Sequence, residues 1–119
     1  MATFEAWDVI KVPFPYTNRP VQQRRPALVA AVYDETGSPA LLWVLMITSV
    51  THRGWNGDVE ISDLAAAGLS AASVVRTAKV ATIEQRDAER IGRVVPIDQA
   101  AVRTWMMGLL EPIYSGARK

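Results

Sequence analysis

Residues 40–48 read Ala-Leu-Leu-Trp-Val-Leu-Met-Ile-Thr, "ALLWVLMIT", and the architecture turns on whether this run is a helix or a strand. Apolar periodicity cannot arbitrate, because nearly every position is apolar; length and flanks can. The run is short. It follows "DETGSP", Asp34 to Pro39, a turn punctuated by Gly37 and Pro39, and it gives way to the polar loop "SVTHRGWNGD". Those flanks favour a buried strand.

Working outward, Pro26 to Tyr33, "PALVAAVY", is a second strand, dense enough in apolar residues to be covered on both faces. Trp7 to Phe14, "WDVIKVPF", alternates and then meets Pro13 and Pro15, as a strand does when it ends or runs along an edge. Tyr16 to Arg25 between them is a polar loop. On the other side, Asp58 to Ile61 is a short strand, and Asp63 caps one helical turn through "LAAAG" that Gly68 stops. Ser73 to Thr77, "SVVRT", and Lys79 to Glu84, "KVATIE", are β-branched and read as two strands, with Arg90 to Val94 as the last. Asp98 to Glu111 sets Ala101, Val102, Trp105, Met106, Leu109 and Leu110 on one face of a helix stopped by Pro112. Many short strands and one closing helix predict a mainly β fold, a small, strongly bent sheet or barrel plugged by the C-terminal helix. Trp43 and Trp105 fall in apolar runs and are assigned to the core or to a dimer interface.

The composition limits the chemistry. Residues 1–119 form one domain, half of it hydrophobic, enough for a real core. There is no cysteine, which rules out disulfides, thiolate metal sites and thiol nucleophiles, and the single histidine, His52, rules out a multi-histidine metal site within the chain. The expectation is therefore chemistry without a metal or cofactor. No apolar run reaches the roughly 18–20 residues of a membrane span, and the N-terminus lacks the pattern of a secretory signal, so the expected location is the cytoplasm. A net charge of +1 does not describe a general nucleic-acid coat. The cations cluster nonetheless: Arg19, Arg24 and Arg25 lie in one segment, His52 and Arg53 in another.

The stretch "QQRRPALV", Gln22 to Val29, sets two guanidiniums at the mouth of a strand, directly before a rigid proline. Such a pair either solvates the strand end or holds an anion. Four segments in order, "WDVIKVPFPYT", "RRPALV", "VLMITS" and "SVVRTAKVATIE", together with "RIGRV" and the closing helix, resemble the MazF/PemK family of toxin endoribonucleases from bacterial type II toxin–antitoxin pairs. The resemblance implies an SH3-like barrel of the CcdB/Kid/MazF type with a C-terminal helix. It further implies a homodimer, metal-independent cleavage of single-stranded RNA at short sequences through 2′-hydroxyl attack, and a cognate antitoxin that blocks the substrate groove.

By that resemblance the family's arginine before proline is Arg25, its threonine after the third strand is Thr48, and a further arginine used by some members is Arg76. RNA contacts fall to Arg24, Tyr16, Arg19, Ser49, His52, Arg53 and Trp55, which supply cations, hydroxyls and stacking rings along the two groove loops. Arg76 has an alternative reading, an ion pair with Glu84 or Glu60 across the sheet. This chain also departs from the pattern. Trp7 stands where the family has a glycine before the aspartate of the first strand, no glycine precedes Arg25, and Ala78 occupies the position of an aspartate proposed as general base in Kid-type members. Arginine is a poor base, whereas His52, four residues after Thr48, is the side chain whose charge normally changes near neutral pH. It is a candidate for proton transfer. Two rival functions follow: a catalytically weakened member that still binds antitoxin, and a CcdB-like gyrase poison, although the chain ends "EPIYSGARK" rather than with that family's tryptophan–glycine pair.

Overall fold

The computed structural model describes residues 3–14 and 23–115. Six strands form one antiparallel sheet: β1 (Asp8–Phe14), β2 (Gln23–Tyr33), β3 (Leu41–Ser49), β4 (Asp58–Glu60), β5 (Ser73–Glu84) and β6 (Glu89–Arg93), in the spatial order β4-β5-β3-β2-β1-β6. A single turn of helix, α1 (Leu64–Ala67), follows β4, and α2 (Pro96–Ser115) closes the described chain. The run at residues 40–48 is thus the central strand. Its even positions Leu42, Val44 and Met46 join a cluster with Ile10, Val12, Ala27 and Val29 on one face of the sheet. Leu45 and Ile47 join Val9, Leu28, Val59, Val75 and Val102 on the other, beneath α2. Alternation with both faces covered explains the continuous apolar run, and each fully buried aliphatic side chain contributes about 1.5–3 kcal/mol.

The mainly β fold with a C-terminal helix is as expected, but the barrel is not closed. β4 and β6 remain the two ends of the sheet. The space between them is taken by α1, which packs against β6 so tightly that a Cβ on Gly92 would lie 2.3 Å from the Ala67 carbonyl carbon. β4 is also only three residues long, too short to extend a ladder around to β6.

Four other expectations are corrected. The segments 73–77 and 79–84 are one strand, not two: Leu45 pairs with Val80 while Met46 pairs with Arg76, so Thr77, Ala78 and Lys79 bulge out of the ladder and bend β5 in its middle. Pro112 does not stop α2, which runs on to Ser115; the proline lies in the last, exposed turns, where a lost backbone bond is replaced by water. Only part of the apolar stripe of α2 is covered: Val102 is buried, but Trp105 and Leu109 are exposed. Trp43 is 57% exposed, which excludes the core and leaves a dimer interface of its two expected places; β2, β3 and β5 overhang the helix at that end, leaving Val32, Tyr33 and Val80 open as well. β2 is consequently covered on both faces only over Ala27 to Val29.

The entry to β1 is a knot of charge. Asp8, nearly fully buried, accepts from the Glu5 N–H at 2.8 Å, Arg90 Nη2 at 2.9 Å and Arg93 Nη1 at 3.2 Å. Trp7 before it has φ +80°, a left-handed conformation that suits glycine. Its N–H is bound to the Val29 carbonyl and its carbonyl to the Val94 N–H, which tie it to β2 and to the chain just before α2.

Candidate active site

The register of the ladders assembles the site. Met46 pairs with Ala27 on one side and Arg76 on the other, and Arg76 pairs with Asp58. These four residues form a row across β2, β3, β5 and β4, with their side chains on one face. Two residues further along β3 is Thr48, and two residues back along β2 is Arg25, so continuing the ladder brings both to the same ends of neighbouring strands, on the same face. Arg25 is exposed, and its Nη2 donates to Gln23 Oε1 at 3.1 Å. Arg24 alternates to the opposite face, where its Nη2 reaches the Lys11 carbonyl and Glu89 Oε1, each at 3.3 Å. It does not converge with Thr48. Tyr16 and Arg19 lie outside the described residues.

Thr48 Oγ1 is 2.6 Å from His52 Nδ1. The loop between them turns back on itself: the His52 N–H donates to the Ser49 carbonyl at 3.1 Å, and Ser49 Oγ accepts from the Thr51 N–H at 3.1 Å while lying 2.9 Å from Thr51 Oγ1. Ser49 is therefore engaged in shaping the loop. Arg53 contributes its carbonyl, which accepts from Arg76 Nη2 at 2.7 Å.

Arg76 is clasped. Its Nε donates to Asp58 Oδ1 at 3.1 Å and its Nη2 to Asp58 Oδ2 at 3.0 Å, with the two side chains only 10% and 12% exposed. Trp55 lies over the guanidinium at 4.2 Å from ring centroid to Cζ, and its backbone N–H donates to Asp58 Oδ2 at 2.9 Å. The expected partners Glu84 and Glu60 are wrong. Glu60 pairs instead across from Val74, and Glu84 sits at the far end of β5 opposite Leu41, whereas Asp58 is directly beside Arg76. Burial pushes the Asp58 carboxyl up, but the Arg76 hydrogen bonds, the Trp55 N–H and the Arg76 charge together outweigh it and hold the group below the usual carboxylate range.

The exit of the loop is fixed by shape. Gly57 has φ +92°, and a Cβ there would lie 2.7 Å from Thr77 Oγ1, the hydroxyl that donates to the Gly57 carbonyl at 2.8 Å. Sequence reading passed over Asp58, treating it only as a strand start. Its signal was present in "NGD", a carboxylate directly after a turn glycine on the strand that must pair with "VVR".

The geometry supplies, on one face, a strand-end guanidinium, a hydroxyl, an exposed imidazole and an aromatic ring, a set suited to holding and cleaving a phosphodiester. Comparison with known proteins agrees in family. Residues 5–110 match the family described as PemK-like, MazF-like toxin of type II toxin-antitoxin system. Comparison with curated proteins finds no match. Among solved structures, the chain is similar to MazF (Form-I) from Deinococcus radiodurans, with TM-score 0.68 and 22% identity over 93% of this chain and 99% of that one. It is also similar to MazE-MazF (Form-II) from the same organism, with TM-score 0.65 and 24% identity over 92% and 97%. A third likeness is to the Mycobacterium tuberculosis toxin MazF-mt6, with TM-score 0.62 and 22% identity over 86% and 95%.

Proposed function

The chain belongs to the family of PemK-like, MazF-like toxins of type II toxin-antitoxin systems, and from that premise we propose that it is an endoribonuclease that cuts single-stranded RNA at short sequences without a metal ion. The observation that carries this is the placement of Arg25 and Thr48 at adjacent strand ends on one sheet face, beside the exposed His52 loop. In the reaction the ribose 2′-hydroxyl attacks its own phosphate, giving a 2′,3′-cyclic phosphate and a free 5′-hydroxyl. Arg25, anchored by Pro26, binds the non-bridging oxygens as charge builds on them, and Thr48 donates one more hydrogen bond. Arg76 is already committed to Asp58 through Nε and Nη2; its role is to hold the floor of the site. Trp55, Arg53 and His52 offer a stacking ring and cations to the bases and backbone.

The partners we infer are a second copy of the chain, an RNA strand and a cognate antitoxin, acting in the cytoplasm. Two observations support them: the exposed Trp43, Val80 and Trp105, and the fold shared with a protein solved as MazE-MazF. No helix among the described residues is long and apolar enough to cross a membrane. The exposed Ala78, in place of a carboxylate, favours one rival, a weakened toxin that binds antitoxin without cutting.

The test is incubation of purified protein with a long, weakly structured RNA in EDTA. Discrete cuts ending in 2′,3′-cyclic phosphate, lost by about 100- to 1,000-fold in Arg25→Ala, are the expected result. Intact RNA with tight antitoxin binding overturns the nuclease reading in favour of the rival.

A further inference from the structure

Cleavage needs a group to take the 2′-hydroxyl proton, and neither Arg25 nor Arg76 does this, since guanidinium stays protonated. We propose that Thr48 and His52 form a single catalytic dyad, in which Nδ1–H of His52 donates to Thr48 Oγ1 and leaves Nε2 as the general base. The inference rests on the nuclease reading above.

Three observations carry it. The Oγ1 to Nδ1 distance is 2.6 Å, so one ring nitrogen is engaged by a strand residue. His52 is an exposed residue, and its Nε2 has no hydrogen-bond partner among the described residues. The backbone on either side of the ring is tied down, by the His52 N–H on the Ser49 carbonyl and by Arg76 Nη2 on the Arg53 carbonyl. A histidine that only solvates a loop needs none of these ties, and here the second one runs to a guanidinium that is itself buried and clasped by Asp58. Arg76 and Asp58 are on this reading positioning residues for His52.

The tautomer follows from the hydroxyl's capacity. Thr48 has one proton and two lone pairs. If it gives the proton to Nδ1, it has nothing to offer a phosphate and Nε2 carries a hydrogen, so no base remains. With Nδ1–H donating to Oγ1, the hydroxyl proton is free to point at a non-bridging oxygen held by Arg25. As RNA reacts, the O2′–H bond breaks and its proton passes to Nε2. The O2′–P bond forms while the P–O5′ bond breaks with its electron pair on O5′, which takes a proton from water. The imidazolium then returns its proton to the hydroxide left behind. The charge gained by the ring strengthens the Nδ1–H bond to Thr48 and makes that hydroxyl a better donor to the phosphate, coupling base and electrostatic catalysis.

Because His52 is the only histidine, a long-range 1H–15N spectrum of the whole protein reports its tautomer without assignment. At about pH 8.5, above the ordinary histidine range, the expected form has Nδ1 protonated, and Thr48→Val shifts it towards the Nε2–H form. In the RNA assay His52→Ala and His52→Asn, the latter retaining an N–H for Thr48, both lower kcat by about 100-fold or more with KM little changed. Added imidazole partly restores His52→Ala, and Thr48→Ser retains most activity. If wild type cuts RNA, Arg25→Ala does not, and both His52 variants cut within threefold of wild type, the dyad is refuted and the nuclease reading stands. An Nε2–H tautomer in wild type also refutes it. If wild type leaves RNA intact, the nuclease reading itself has failed.

Discussion

Replacing Asp58 by asparagine tests the clasp on which the site rests. The substitution keeps size and removes charge. Arg76 then loses two charge-assisted bonds, at 3.1 and 3.0 Å, and keeps its full charge in a place where the side chain is 10% exposed. Removing one partner of a buried ion pair costs about 3–5 kcal/mol, because the other is left without compensation. The bond from Nη2 to the Arg53 carbonyl and the Trp55 ring remain, so the low end, about 3 kcal/mol, is the figure to expect. For a domain of 119 residues that lowers Tm by about 12 °C, taking roughly 4 °C per kcal/mol. Arg76→Met in the Asp58→Asn background removes the orphaned charge and recovers about half of the loss.

The pH dependence has a definite sign. The folded-state carboxyl is held below its unfolded value, so it adds stability above about pH 4, and that contribution is lost as pH falls through the lower, folded value. Wild type and Asp58→Asn therefore differ most near neutrality and converge in acid. The assay is thermal unfolding by circular dichroism at fixed protein concentration from pH 7 down to pH 3. A difference under about 1 kcal/mol at pH 7, or one that fails to shrink on acidification, would falsify the claim that this pair holds the loop.

Gly92→Ala drives a methyl into the Ala67 backbone, 2.3 Å away, and is expected to cost about 3 kcal/mol, read as a fall in the midpoint of urea unfolding. Trp7 can be probed by a pair of variants: at φ +80° Trp7→Gly is expected to be more stable than Trp7→Ala by about 1 kcal/mol, the reverse of the order in an ordinary strand or helix. Equal stability, or the usual order, would show that the left-handed backbone carries no strain.

Most of the strand framework was legible because alternation and turn residues are local signals. "ALLWVLMIT" and "PALVAAVY" proved to be central strands, the first with nearly the expected bounds, the second beginning three residues earlier, at Gln23, so that Arg24 and Arg25 lie within the strand and not in the loop before it. Arg25 and Thr48 were named from resemblance, and the ladder between β2 and β3 sets them at matching ends. What could not be read depends on residues distant in sequence. Thr77, Ala78 and Lys79 look like a break between two strands, because a bulge and a turn use similar residues until the partner strand is known. Open ends of the sheet follow from Gly92 meeting α1, a contact that no local pattern encodes. Exposure of Trp43 reflects where α2 stops covering the sheet, and apolar content alone does not carry that boundary. The departure at Trp7 was visible, but its meaning came only with the dihedral angle: the glycine of the related pattern suits a left-handed backbone that this chain retains with an indole.

The connection from β3 to β4 is fastened at both ends, by Thr48 to His52 on one side and by Asp58 to Arg76 on the other. Residues inserted beside Gly54, where an added Cβ meets nothing within 4 Å, would enlarge only a surface bow, because Arg53, Trp55 and Gly57 around it are themselves held, and doubling the length of such a bow costs about 0.6 kcal/mol in closure entropy. The scaffold thus tolerates lengthening at that one point while its flanks stay fixed. A longer bow there would change the outline of the loop without redesigning the sheet that carries it.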